Sequence, residues 1–225
     1  MEARLSPNGE FGLHLTVGMA LLFVSGLVFH ELAEAVMGQE AITVMDVQVA
    51  NWFNAHAFEP LTSIMYGITH IHAVVGMLVL FGLLAWYLWK QQAHYWLLAL
   101  AFAVPGGMML NVALKYHFQR ARPVFEEPMV TLATYSFPSG HTTAATCFYG
   151  FLACYLVISR PAWSVRLGTV AFCLTMILLV AFSRVYLGAH YVSDVLAAMA
   201  ESVAWLAVCI TAISTLRRRR EGKTI

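Results

Sequence analysis

Long apolar runs separated by short polar segments make up most of this 225-residue sequence. Because about 20 mostly apolar residues are enough for a helix to cross a bilayer, each run of that length is a candidate membrane span. Six such spans are predicted, over residues 13–32, 61–88, 95–114, 142–159, 165–187 and 191–213. The pattern therefore predicts an all-α integral membrane bundle of about six transmembrane helices.

The stretch 42–58 differs from these runs because the polar residues Asp46, Asn51 and Asn54 interrupt it. It follows the first predicted span directly, and we expect an amphipathic helix that lies in the membrane interface. The first apolar run has no clear small-x-small cleavage site. It is therefore predicted to be a retained helix rather than a cleaved signal peptide.

The composition agrees with a membrane bundle. Hydrophobic residues make up 60% of the chain and charged residues only 11%, with a mean hydropathy of +0.71. Water-soluble domains are nearer half apolar and a quarter charged. The sequence shows no internal repeat, low-complexity tract or domain linker. We therefore expect a single domain over residues 1–225, without a separate soluble domain.

The basic residues predict how the bundle is oriented. If both termini lie in the cytoplasm, nine of the thirteen lysines and arginines fall on the inner side, as the positive-inside rule prefers. These nine are Arg4, Lys90, Arg160, Arg166, Arg217, Arg218, Arg219, Arg220 and Lys223. The run 217–220 is then an anchor attracted to anionic lipid of the plasma (inner) membrane, and no nucleic-acid partner is expected.

Four basic residues remain on the outer side, where the same rule disfavours them. They are Lys115, Arg120, Arg122 and Arg184, in the predicted 115–141 loop and at the end of the fifth span. Anchoring to lipid headgroups is one interpretation. The residues that surround them favour a binding site instead.

Three polar segments share this outer face. The first reads K-x6-RP from Lys115 to Pro123, the second is PSGH over 138–141, and the third reads SR-x5-H-x3-D from Ser183 to Asp194. Arginine forks match phosphate oxygens in geometry, and a lysine adds a mobile positive charge. Together these residue types predict a site for a phosphate dianion.

The PSGH segment adds a second element of that site. Ser139 is a candidate N-cap for the fourth span, and the free amides of the first turn form an anion site that the helix dipole reinforces. Gly140 has no Cβ, so the backbone can approach a ligand closely there.

His190 and Asp194 are four residues apart, so we expect them on one face of a helix. The carboxylate would hold one imidazole nitrogen as a donor and leave the other free to attack phosphorus. His141 comes from a different span. It is suited to protonate the departing oxygen, since histidine ordinarily titrates near neutral pH.

These three segments resemble the three-part signature of the type 2 phosphatidic acid phosphatase superfamily, and every fixed position of that signature is present within residues 115–194. The flanking spans fit the family's six-span plan, so the resemblance covers most of the chain. It implies a membrane enzyme that removes phosphate from a lipid through a phosphohistidine intermediate. Members of the family use no metal, and no other cofactor is expected.

The resemblance also implies a role for each matching residue. His190 is similar to the nucleophile, Asp194 to its orienting partner, and His141 to the acid that protonates the leaving group and later helps to activate water. The residues similar to the phosphate cradle are Lys115, Arg122, Ser139, Gly140 and Arg184.

Several functions remain open within and beyond this resemblance. The candidate substrates are undecaprenyl diphosphate, phosphatidylglycerol phosphate, phosphatidic acid and lipid A phosphate. With the same site, a phosphotransferase would pass the phosphate to another lipid. A transporter or channel with a proton path through His70, His72 and Glu201 is the alternative from another class, but such proteins often carry an internal repeat.

Five ionisable residues outside the signature need separate explanations. Glu201 is predicted to face the interior of the bundle, either as a neutral hydrogen-bonded acid between helices or in contact with a polar part of the lipid or with residues that surround the site. His70 and His72 are either buried and hydrogen-bonded or line the lipid's path to the site. Arg120 and His117 are weak candidates for a second phosphate.

Overall fold

The computed structural model describes residues 13–159 and 162–221. Within these ranges the chain forms eight helices and no strand, which confirms the all-α prediction. The helices are α1 (Leu13–Met37), α2 (Ala41–Ala55), α3 (Leu61–Ile71), α4 (Val74–Lys90), α5 (His94–Phe118), α6 (Gly140–Ser159), α7 (Trp163–Tyr186) and α8 (Val192–Glu221).

Helices α1, α5, α6, α7 and α8 are each long and apolar enough to cross a membrane. Helices α3 and α4 meet the same test only together, as one broken span, and this agrees with the predicted number of about six. Large apolar side chains point outward from the bundle, among them Phe23, Leu78 and Leu167. Outward-facing apolar residues are what contact with lipid requires, because lipid tails offer no polar partners.

The single span predicted over 61–88 is wrong in one respect, since the chain bends by 54° between α3 and α4. The bend brings the first turn of α4 against the last turn of α3. A Cβ at Gly76 would lie only 1.8 Å from the carbonyl oxygen of Ile71. Only glycine therefore fits at this position, and periodic hydrophobicity alone carries no signal of the break.

Helix α6 lies at the centre of the bundle and packs against α5, α7 and α8. Its fully buried residues include Ala145, Cys147 and Phe151, which pack on Leu100 and Ala103 of α5. Small side chains on these two helices allow their backbones to approach closely. This packing holds the first turn of α6, which contains the last two residues of the PSGH segment, in a fixed position.

Helix α2 confirms the helix predicted over 42–58, and it packs against α7 and α8. Asp46 does not simply interrupt an apolar stretch, because its side chain is fully buried and faces α8. The predicted membrane orientation stays a prediction. Arg4, Arg160 and Lys223 lie outside the described residues, as do the side chains of Arg218, Arg219 and Arg220.

Candidate active site

Four helix ends meet at one end of the bundle. Helix α5 ends at Phe118 and α6 begins at Gly140, while α7 ends at Tyr186 and α8 begins at Val192. The loops 119–139 and 187–191 connect these ends. The three polar segments found in the sequence therefore gather at one place, although Lys115 lies in the last turn of α5 and not in the predicted loop.

His190 lies in the turn between α7 and α8, not on a helix as the spacing predicted. The turn closes α7 with a Schellman motif, in which the amide of Ala189 donates to the carbonyl of Arg184 and that of Gly188 to Val185. Gly188 has a φ of +68°, and a Cβ there would lie 2.5 Å from the Phe125 ring. Glycine at 188 therefore permits the turn that presents His190.

Asp194 holds this histidine from the first turn of α8. Its Oδ2 atom lies 3.3 Å from Nδ1 of His190 and accepts a 2.9 Å hydrogen bond from the amide of Tyr191. An acid three residues after the N-cap that bonds back to the N-cap amide is half of a capping box. The four-residue spacing thus brings the pair together through a helix cap rather than through a helix face.

The second imidazole nitrogen of His190 faces Arg122, whose Nη1 atom lies 3.2 Å from Nε2. The side chain of His190 is only 2% exposed. Burial lowers the pKa of His190 to about 3; the hydrogen bond and charge of Asp194 oppose this shift, and the positive charges of Arg122 and Lys115 add to it. At neutral pH the imidazole is therefore uncharged, and the lone pair of Nε2 faces Arg122.

Arg122 and Lys115 are held by the same stretch of loop. Arg122 donates from Nε to the carbonyl of Thr134 at 2.6 Å and from Nη2 to that of Tyr135 at 3.1 Å. Lys115 Nζ donates to the carbonyls of Tyr135 at 2.8 Å and Ser136 at 3.2 Å. Backbone carbonyls thus orient two cations toward His190 without neutralising their charges.

Arg184 supplies a third cation from the last turn of α7, and it is 2% exposed. Its Nη1 atom donates to the hydroxyl of Thr69, while its buried Nε has no partner among the described residues. A buried donor without a partner carries a free-energy cost that an anionic ligand would remove.

Helix α6 begins at Gly140, directly after Ser139, whose carbonyl accepts the first helical hydrogen bond from Thr143. The amide of Ser139 donates to the carbonyl of Asp194 at 3.1 Å, which joins the start of α6 to α8. His141 follows in the first turn. The PSGH segment therefore contributes a helix N-terminus to the site.

An apolar groove of about 440 Å³ leads from His141 and Gly140 toward the side of the bundle, between α4, α5 and α6. Its walls are Val74, Met77, Leu78, Phe81, Val104, Pro105, Met108 and Ala144, with His72 at the break between α3 and α4. Leu78 is 64% exposed, so the groove opens on the apolar surface of the bundle.

His72 combines the two interpretations offered by the sequence. It is buried, its Nε2 atom lies 2.9 Å from the hydroxyl of Tyr149, and it also lines the groove. His70 is exposed, and its Nδ1 atom lies 3.3 Å from the carbonyl oxygen of Tyr66 on the same helix.

Glu201 is buried between α8, α5 and α6, as the first interpretation expected. Its Oε1 atom accepts hydrogen bonds from Asn111, at 2.8 Å, and from the hydroxyl of Thr143. These two bonds join helices α5, α6 and α8 in the interior of the bundle.

Four further residues contact the pair His190–Asp194 or its partners, and the sequence predicted this role for none of them: Asp46, Arg120, Ser136 and Ser193. From the sequence, Arg120 is only a weak candidate for binding a second phosphate. It instead forms an ion pair with Asp194 at 2.6 Å. Two features of the sequence could have indicated this role: Asp46 is an acid within an apolar helix, and Arg120 lies on the predicted outer side, where the positive-inside rule disfavours arginine.

Comparison with known proteins places the chain in a family. A sequence profile of the PAP2 superfamily matches residues 94–218, which is more than half of the chain. The chain belongs to the PAP2 superfamily. The matched region begins at α5 and ends in α8, so it contains all three polar segments.

Individual PAP2 proteins agree with this assignment. The chain is 36% identical over 140 residues to phosphatidylglycerophosphatase B of Bacillus subtilis, covering 60% of this chain and 67% of that protein. It is 38% identical over 79 residues to lipid phosphate phosphatase delta of Arabidopsis thaliana, covering 34% of this chain but only 19% of that protein.

Solved PAP2 structures share the fold. A crystal structure of a transmembrane PAP2-type phosphatidylglycerolphosphate phosphatase from Bacillus subtilis superposes with a TM-score of 0.77 at 28% identity, over 84% of this chain and 94% of that one. The crystal structure of LpxE from Aquifex aeolicus gives 0.60 at 18% identity, over 74% and 94% of the two chains, and supports the fold alone. The eight helices thus form a multi-pass membrane bundle of the PAP2 type.

Proposed function

We propose that this PAP2 protein is a lipid phosphatase that hydrolyses a phosphate monoester or diphosphate of a membrane lipid through a phosphohistidine at His190. The arrangement of the His190 side chain carries the proposal. One ring nitrogen faces the Asp194 carboxylate and the other faces Arg122 at 3.2 Å. A buried, uncharged imidazole oriented by a carboxylate is an activated nucleophile.

The reaction has two steps. In the first, Nε2 of His190 attacks phosphorus, the bond from phosphorus to the lipid oxygen breaks, and His141 donates a proton to that oxygen. In the second, a water molecule attacks the phosphorus of phosphohistidine and transfers a proton to His141. Inorganic phosphate leaves, and both histidines return to their first state.

The positive charge that the transition state requires comes from the protein in this proposal. Lys115, Arg122 and Arg184 converge on the same end of the bundle, and the first turn of α6 begins at Gly140 beside them. Fixed donors aimed at the phosphoryl oxygens stabilise charge as it develops there. We therefore infer catalysis that does not depend on a metal ion.

The groove supports a lipid as the leaving group. Its apolar walls extend from His141 to the lipid-facing surface, so an acyl or prenyl chain can remain in apolar surroundings while its phosphate reaches the site. The relative 36% identical is named a phosphatidylglycerophosphatase, and we place phosphatidylglycerol phosphate first among the substrates. Undecaprenyl diphosphate, phosphatidic acid and lipid A phosphate are the other candidates.

We infer that the site faces the outer side of the plasma (inner) membrane and that both termini are cytoplasmic. The nine basic residues of the predicted inner side support this orientation. The four basic residues on the opposite side are then explained by the site, since three belong to the phosphate cradle and Arg120 pairs with Asp194.

The proposal is tested with purified protein in detergent micelles and a panel of the four candidate lipids in short-chain form. We expect release of inorganic phosphate, highest for phosphatidylglycerol phosphate and unchanged by excess EDTA. The matched control is His190→Ala, which should be inactive with every lipid of the panel because the proposed nucleophile is absent. Absence of phosphate release from all four lipids by the folded protein would refute the phosphatase assignment. Loss of activity in EDTA with recovery in Mg²⁺ would refute metal independence.

A further inference from the structure

Arg120 connects the catalytic pair to a part of the chain outside the PAP2 signature. Its Nη1 atom donates to Oδ1 of Asp194 at 2.6 Å and to the hydroxyl of Ser193 at 2.7 Å. Its Nη2 atom donates to Oδ2 of Asp46 at 2.8 Å. One guanidinium thus bridges two carboxylates that come from different helices, α2 and α8.

Asp46 is held as tightly as Arg120. Its Oδ1 atom accepts a 3.0 Å hydrogen bond from the amide of Ser193, and its Oδ2 atom accepts from the hydroxyl of the same residue. The side chain is 0% exposed. A buried carboxylate is stable only when paired and fully hydrogen-bonded, and Asp46 satisfies both conditions through Arg120 and Ser193.

The positive charge of Arg120 is already paired with two carboxylates, those of Asp46 and Asp194. Burial lowers its pKa, but the charges and hydrogen bonds of Asp194 and Asp46 outweigh burial and raise it above the ordinary value. Its guanidinium also stacks on the ring of Tyr191, 4.3 Å from the centroid. Both terminal nitrogens of the guanidinium are bonded to the protein, through Asp194, Ser193 and Asp46, which argues against the second-phosphate role considered from the sequence.

The contacts divide the Asp194 carboxylate into two halves. Oδ1 faces Arg120, while Oδ2 faces Nδ1 of His190 and also accepts from Ser136 and the Tyr191 amide. The ion pair with Arg120 holds Oδ1, and it acts together with the bonds from Ser136 and the Tyr191 amide to fix the rotation of the carboxylate and the position of the oxygen that orients His190.

We propose that Asp46 and Arg120 form a clamp that positions Asp194, and that α2 thereby takes part in the reaction without touching the substrate. This inference rests on the proposed phosphohistidine chemistry. Among the described residues, the hydrogen bonds of these two side chains go to each other, Ser193 and Asp194, and not to the residues of the proposed phosphate cradle. Loss of the clamp should therefore misalign His190 and lower kcat, while the binding of substrate, reported by KM, stays nearly unchanged.

The decisive experiment measures kcat and KM of Asp46→Asn and Arg120→Lys with a lipid phosphate in micelles. Asn at 46 keeps the shape but loses one acceptor and the charge, and Lys at 120 keeps the charge but cannot bridge two carboxylates. We expect kcat to fall about 10–100-fold, the range typical of residues that orient a reacting group. KM should stay within about threefold of the wild-type value.

A double-mutant cycle separates positioning from general structural damage. On an Asp194→Asn background, Asp46→Asn should lower kcat by less than about threefold, because the group through which it acts is already lost. Gln48→Ala, an exposed polar position on the same helix, is the matched control and should leave kcat and the thermal midpoint unchanged. If Asp46→Asn does not yield folded protein, Arg120→Lys and Ser193→Ala decide the question by the same cycle.

Two results would overturn the clamp. One is folded variants that retain kcat within about threefold of wild type; the other is an Asp46→Asn effect that is fully additive with Asp194→Asn. Failure of the clamp is distinct from failure of the proposed function. Wild-type protein that releases no phosphate refutes the phosphatase assignment, whereas active wild type with unaffected clamp variants refutes only the inference drawn for Asp46 and Arg120.

Discussion

Arg122 and His190 are joined through the imidazole nitrogen that the proposed chemistry needs, with Nη1 lying 3.2 Å from Nε2. A guanidinium has donors only, so Nε2 must present its lone pair to Arg122. The hydrogen of the neutral ring is then on Nδ1 and faces Asp194. A phosphoryl oxygen bound by Arg122 would therefore place phosphorus close to the lone pair that attacks it.

Removal of the nucleophile should abolish both turnover and the covalent intermediate. We expect His190→Ala to incorporate no labelled phosphate into protein after rapid quenching, because the side chain proposed to form the bond to phosphorus is absent. His56→Ala, at an exposed histidine directly after α2, is the control and should label like wild type. Retention of more than about a tenth of the activity in His190→Ala would remove this residue from the role.

The positive charge of Arg122 should affect the pH dependence of kcat/KM. His190 attacks only when neutral, so kcat/KM falls as pH drops through its pKa, which is lowered to about 3. Arg122 is one of the positive charges that lower this pKa, and Arg122→Gln should raise it. The acidic limb of the kcat/KM profile should therefore move to higher pH in Arg122→Gln.

Comparison of the two enzymes with one substrate cancels the titration of the phosphate itself. Arg166→Gln, at the opposite end of α7, is the matched control and should leave the limb in place. An acidic limb that is identical in Arg122→Gln and wild type would show that this arginine does not act electrostatically on the nucleophile.

The need for His141 should depend on the leaving group. A lipid alkoxide requires a proton as it departs, whereas p-nitrophenolate hardly does. General acid catalysis typically contributes 10²–10⁴-fold, or about 3–5 kcal/mol. In His141→Ala the phosphorylation step should lose much more rate with a lipid monophosphate than with p-nitrophenyl phosphate.

Single-turnover or burst kinetics are needed for this comparison, because His141 is also proposed to activate water in the second step. His190→Ala should be inactive with both substrates and serves as the reference. Equal losses in the first step for the two substrates would show that His141 only binds phosphate.

Filling the groove should discriminate between lipid and soluble substrates. Ala144 lines the groove one turn after His141, and Ala144→Phe would occupy part of its 440 Å³. We expect at least a tenfold rise in KM or fall in kcat/KM for a lipid phosphate, about 1.4 kcal/mol, with little change for p-nitrophenyl phosphate. Ala171→Phe, on the exposed surface of α7, is the control. Equal effects on both substrates would argue that the groove does not hold the lipid chain.

Thiol labelling can determine which side of the membrane the site faces. Val124 is 89% exposed in the loop that carries the site, and a cysteine at 124 should react with an impermeant reagent in intact cells or spheroplasts. A cysteine at 224, beyond the basic run 217–220, should not react. The parent protein is the background control, since its cysteines are buried or half-buried. The reverse labelling pattern would place the site in the cytoplasm.

The sequence by itself was sufficient to predict most of the helices and to identify the family. Hydrophobic runs long enough to cross a bilayer are local properties of the chain, and five of the predicted spans appear as single helices with shifted ends. The signature positions also share one end of the bundle, as the alternation of spans and loops required. The bend at Gly76 was not predicted, because it depends on the approach of two turns rather than on hydrophobicity.

Tertiary structure alone decided how the site is supported. The spacing of His190 and Asp194 predicted their contact, but the contact is made through a turn and a helix cap, and a turn conformation depends on Gly188 and its neighbour Phe125. The bridge from Asp46 through Arg120 to Asp194 joins residues 74 positions apart on either side of the arginine. Such a partnership has no local sequence signal, since it arises only when packing buries charges that must then find one another.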